Sequence, residues 1–188
     1  MTKQNGPFFD EEHLRQGSPV NTTFGESMRR LDVTLNSVAI AATGVEYVIG
    51  VPLQAGEVVS NITFVTGATA AATPTAGYAC LRSPSGALLA QTADFGSTAR
   101  AANTAFTVAL TTPQVITTSG LYYVGISFTA GTVPTVAGKT FGNAVAAGNL
   151  GLGAAVLAQT HGSSVGATAP ATIVSPTTVA NLAYMVCT

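Results

Sequence analysis

Residues 119–131, SGLYYVGISFTAG, alternate strictly between two kinds of side chain. Tyr122, Val124, Ile126 and Phe128 form an apolar row, while Tyr123, Gly125, Ser127 and Thr129 form a row that is mostly small or hydroxylated. Alternation with period two belongs to a β-strand with one face in a core, and Ser-Gly before it and Ala-Gly after it mark turns. The pattern recurs. EYVIGVPL (46–53) puts Tyr47, Ile49, Val51 and Leu53 on one side, and VVSNITFVT (58–66) turns Ile62 and Phe64 inward. GYACLRS and ALLAQT flank a Pro-Ser-Gly hairpin at 84–86, and NTAFTVALT (103–111) alternates Phe106, Val108 and Leu110. A short piece around QVIT follows, and NLAYMVC (181–187) closes the chain. No amphipathic helix lies between these strands. A parallel sheet needs helical crossovers, so the sheets are expected to be antiparallel. The reading is an all-β chain: an antiparallel β-sandwich, jelly-roll-like, of about eight strands.

Charge narrows the use of such a fold. Only 8% of the 188 residues are Asp, Glu, Lys or Arg, against about 25% in an ordinary globular protein. Thr, Ala, Gly and Ser take their place. A surface so poor in charge resists association weakly, which points to a face covered by copies of the chain or by another protein. The net charge of −1 argues against nucleic-acid binding, which needs clustered Lys and Arg. The most apolar run, 144–158, is short for a membrane span and broken by Asn149 and three glycines, so no membrane contact is expected. The polar N-terminus MTKQNGPFFDEEH does not read as a secretory signal, which implies synthesis in the cytoplasm. Cys80 and Cys187 read as buried free thiols; pairing across the sandwich is the alternative.

The charges are also uneven. Lys3, Asp10, Glu11, Glu12, Arg15, Glu26, Arg29, Arg30 and Asp32 crowd into the first 32 residues. Glu46, Glu57, Arg82, Asp94, Arg100 and Lys139 are all that the other 156 residues hold. That boundary separates an extended N-terminal arm, 1–32, from a sandwich domain, 33–188. Between 132 and 180 the alternation fades into Gly, Ala and Thr. The segment reads as Ala-rich strands, a long binding loop or a contact between subunits.

Candidate chemistry is sparse. GSSVG (162–166) matches G-x-S-x-G, but no helix follows Ser164, and no acid or His follows it in the chain. AGKT (137–140) lacks the glycine that a phosphate loop needs, and GNLGLG (148–153) lacks a βαβ setting. His13 and His161 lie far apart in sequence, so no metal site and no cofactor is expected. Asp94 reads as a turn cap, a weak Ca²⁺ site being the lesser alternative. Tyr47, Tyr78, Tyr122, Tyr123 and Tyr184 read as packed or interface residues rather than sugar platforms, Tyr123 alone facing away from the apolar stripe.

The block from Gly77 to Thr135, about a third of the chain, holds the Pro-Ser-Gly hairpin, then F-T-V-x-L-x-x-P-x-x-I, then G-x-Y-Y-V-G-I. It resembles virion proteins of tailed bacteriophages, those infecting actinobacteria above all. The resemblance implies a capsid decoration or minor capsid protein on the head surface and no catalytic residue. Its partners would be the major capsid protein and copies of itself, as a homotrimer. In the arm, Phe8 and Phe9 would anchor, and Asp10, Glu11, Arg15, Arg29 and Arg30 would set register on a neighbour. The alternative is a tail-fibre or baseplate module that grips host-surface carbohydrate near Tyr123 and residues 141–170.

Overall fold

The computed structural model describes residues 25–28, 35–142, 148 and 155–188. Its strands are β1 (Gly25–Glu26), β2 (Asn36–Val38), β3 (Glu46–Leu53), β4 (Val58–Val65), β5 (Ala72–Arg82), β6 (Leu88–Gln91), β7 (Ala105–Val115), β8 (Gly120–Thr132), β9 (Val136–Thr140), β10 (Ala158–His161), β11 (Thr177–Thr178), β12 (Asn181–Ala183) and β13 (Met185–Cys187). They form a four-stranded sheet, β1-β13-β4-β7, a six-stranded sheet, β11-β10-β3-β8-β5-β6, and a three-stranded sheet, β12-β9-β2. Every pairing is antiparallel, and no helix occurs among the described residues. The fold is therefore the all-β antiparallel sandwich that the alternation implies.

The strand count is higher than the eight expected, for local reasons. Short pieces such as β1, β2, β10 and β11 are too brief to show a period. The terminal run is cut at Tyr184, where the chain leaves β9 of the small sheet and joins β4 of the four-stranded one. Conversely, QVIT is no separate strand, because β7 runs through Pro113 as far as Val115. Gly25–Glu26, within the segment read as an arm, pairs with Cys187 and Val186 of β13.

The core lies between the two larger sheets. Tyr47, Ile49, Val51 and Leu53 of β3, Ala79 and Leu81 of β5, and Tyr122, Val124, Ile126 and Phe128 of β8 face Val59, Ile62, Phe64, Met185 and Cys187 opposite. Phe64 sits among Phe95, Phe106 and Phe128, with ring centroids 5.9–6.1 Å from its own. The Arg100 guanidinium closes this cluster, 4.8 Å from the centroids of both Phe95 and Phe106. A cation over two ring faces keeps part of its stabilisation after leaving water. Tyr47 is also sealed in the core, and its hydroxyl donates to Asn181 O at 2.6 Å and accepts from Ala183 N–H at 3.0 Å. That pair of bonds ties the small sheet to the sandwich. Cys80 and Cys187 are buried free thiols.

Phe64→Ala should cost about 3–5 kcal/mol in urea unfolding, whereas Val58→Ala on the exposed surface should stay within about 0.5 kcal/mol.

Candidate functional site

Chemistry concentrates on the outer face of the six-stranded sheet, the side turned away from the core. Register explains why. Glu46 stands opposite Ser127 of β8 and His161 of β10, and Tyr78 also stands opposite Ser127. Cys80 and Arg82 follow Tyr78 at the strand period, so all six side chains share one face.

Arg82 and Glu46 are each wholly buried. Arg82 Nε donates to Oε1 and Nη2 to Oε2, both at 2.7 Å, a two-pronged pair. Tyr78 Oη donates to Oε2 at 2.6 Å, and Cys80 Sγ–H points to Oε1 at 3.3 Å. The third guanidinium nitrogen, Nη1, donates to Gly86 O at 3.2 Å. His161 Nε2 lies 3.4 Å from Oε2, within reach of the charge but without hydrogen-bond geometry. Gly125 on β8 makes room, since a Cβ there would collide with Glu46 Oε1 and stand 2.7 Å from Cys80 Sγ.

Burial alone would raise the pKa of Glu46, but the contacts of His161, Arg82 and Tyr78 prevail and hold it down at about 2. Tyr78 and Cys80 are pushed up, by burial first and then by the neighbouring carboxylate, so both keep their protons. Burial works against the charge of Arg82, yet Glu46 raises its pKa overall. The cluster is thus a fixed anion–cation pair ringed by donors. It holds no open position for a nucleophile to meet substrate, and no group among the described residues has the make-up of a metal centre.

A strap without regular structure, residues 162–176, covers this face. Val165 N–H donates to Gly44 O at one end of the sheet, and Ala169 N–H reaches the Gln91 side chain. Leu88 N–H then bonds to Ala171 O, and Ile173 N–H to Gly86 O, before β11 pairs with β10. Val165 and Ala169 pack on Tyr78 and Cys80 beneath. Two shallow cavities open beside the strap. One, about 250 Å³, is bordered by Thr43, Gly44, Thr129 and Ser164. The other, about 260 Å³, is lined by Tyr123, Gln159, Pro84, Gly86, Ile173 and Pro176 among others.

The candidates from sequence fall as follows. Phe8, Phe9, Asp10, Glu11, Arg15, Arg29 and Arg30 lie outside the described residues. Ser164 is exposed on the strap at φ 56°, while His161 is turned toward Glu46. Asp94 Oδ1 accepts from Gly77 and Gly96 N–H at 2.9 and 2.8 Å, the turn cap expected of it. All five tyrosines are buried, but Tyr78 joins Tyr123 on the outer face, where the sequence pattern set Tyr123 alone. Sequence reasoning missed Glu46, Arg82, His161 and Gln159. Their signal was parity: Glu46 precedes the Tyr47 stripe by one position, and Arg82 shares the parity of Tyr78.

No helix among the described residues is long and apolar enough to cross a membrane. Comparison with known proteins finds no matching family model and no matching curated relative.

Removing one member of the buried pair strands the other charge. Glu46→Gln or Arg82→Met should each cost about 3–5 kcal/mol in urea unfolding, and the double change Glu46→Leu/Arg82→Met should cost less than the sum. Glu46 is held below the ordinary carboxylate value of 4.5, so its contribution is full above that pH and fades as pH falls toward about 2. Stability measured by circular dichroism should drop across that window in the native chain and be flatter in Glu46→Gln.

Proposed function

We propose that the chain is a structural coat protein without enzymatic activity. It binds the outer surface of a tailed-phage head, bridges subunits of the major capsid protein and associates with copies of itself, as a trimer. The observation that carries this reading is where the charges lie. Of the six charged residues from position 35 on, Glu46, Arg82 and Arg100 are buried, which leaves Glu57, Asp94 and Lys139 to meet solvent. Proteins that stay apart in solution usually rely on many more.

The outward face of the four-stranded sheet supports the same reading. Asn61, Thr63 and Val65 of β4 stand opposite Ala109, Thr107 and Ala105 of β7, with no charge among them. Thr63 and Thr107 bond to each other through their hydroxyls at 2.8 Å. Val58 and Val115 pair at the end of the same face, 52% and 53% exposed. β7 is the sheet's edge strand and carries no Lys; Pro113 and the bridge from Leu110 to Thr92 guard only part of that edge. Such a face suits a close lattice, in which many weak contacts add through avidity. The resemblance of residues 77–135 to phage virion proteins agrees with it.

Quantitative mass spectrometry of purified particles tests the reading. It predicts a copy number of the same order as the major capsid protein; a handful of copies, or absence from the particle, would contradict it. Thr107→Lys should leave thermal stability within about 2 °C, as exposed substitutions do, while lowering occupancy on the head.

A further inference from the structure

The cavity beside Tyr123 and Gln159 contains two polar groups that the fold leaves unused. Gln159 is 6% exposed and Tyr123 7%. Neither the Gln159 amide nor the Tyr123 hydroxyl bonds to any other described group, and neither is sealed from solvent. Both residues line the same cavity, a space of about 260 Å³.

The walls of that space define what would fill it. Pro84, Ile173 and Pro176 offer apolar surface, while the amide and the phenol offer donors and acceptors. Burial raises the pKa of Tyr123, so the phenol keeps its proton and can donate. Formal charge is missing from the lining. The nearest guanidinium, Arg82, is committed behind the wall, to Glu46 through Nε and Nη2 and to Gly86 O through Nη1. An anion would find no counter-charge here, and neither would a cation. The space is also held open in advance. Gly86 sits at φ 86°, fixed from below by Arg82 and from the side by Ile173 N–H at 3.3 Å, and a Cβ at Gly86 would approach Ile173 to 3.2 Å. A ligand would therefore meet a preformed site and not have to order it. Addition of a peptide strand is disfavoured, because β10 is already paired on both sides, with β3 and β11.

We propose that this cavity is a subsite for one neutral sugar residue of a glycan, with its C–H face on Pro84, Ile173 and Pro176 and its hydroxyls on Gln159 and Tyr123. The site gives the coat protein a second contact, on the six-stranded sheet, and it stands or falls apart from the copy number that tests the coat role.

Saturation-transfer NMR on the full chain provides the test. The panel is neutral tetrasaccharides of glucose, galactose, mannose and N-acetylglucosamine, with a uronate oligosaccharide and a proline-rich peptide as controls. The expected result is transfer to at least one neutral sugar and to neither control. Gln159→Ala should weaken binding about tenfold and Tyr123→Phe several-fold, with melting temperature within about 2 °C. Ser164→Ala, at the other cavity, should leave binding unchanged. Should Gln159→Ala fail to fold, Tyr123→Phe decides alone, since it removes one oxygen and no bond within the protein. Transfer to none of the neutral sugars, transfer to a control instead, or binding indifferent to the variants would overturn the proposal.

Discussion

The outer half of this structure depends on one ion pair sealed from water. Taking a carboxylate and a guanidinium out of solvent costs several kcal/mol each, and only near-ideal geometry with further donors offsets it. Glu46 has that geometry: two bonds from Arg82, one from Tyr78 and the thiol of Cys80 turned toward it. The missing side chain of Gly125 is the condition for all of them. The pair also opposes a register error. A slip of one residue between β3 and β8 would turn Glu46 toward the core and Tyr47 outward, stranding a charge and exposing a core ring at once.

The same pair links the sheet to its cover. Arg82 reaches past Glu46 to Gly86 O, and Gly86 O also receives Ile173 N–H from the strap. The turn after β5, the strap and the cavity at Tyr123 thus share one anchor. From residue 35 on, as many charges are buried as meet solvent. The chain places Glu46, Arg82 and Arg100 where they organise packing, and leaves its outward sheet to threonine, alanine and valine.

Much of the fold was legible because strands declare themselves by period. β3, β4 and β8 bury the alternate residues that their sequences mark as apolar, β7 buries Leu110 and half-buries Phe106 and Val108, and the Pro-Ser-Gly hairpin between β5 and β6 is where its turn residues imply. The switch of sheets at Tyr184 was not legible. Leu182, Tyr184 and Val186 keep one alternation across it, and only the partners change, from β9 to β4. The strap was hidden for another reason: its bonds are made by its backbone to groups distant in sequence, and Gly, Ala, Ser and Thr carry no period there. The ion pair escaped notice because Glu46 and Arg82 are 36 positions apart and look like two isolated charges until β8 brings β3 and β5 to either side of it.

Native-state hydrogen exchange on the native chain and Glu46→Gln tests this central claim most directly. If the pair anchors the strap, protection at Val165, Leu88 and Ile173 should fall in the variant well beyond the loss at Ile62 and Phe64, whose strand belongs to the opposite sheet. A uniform loss across both sets, or strap protection that stays as it was, would contradict the account.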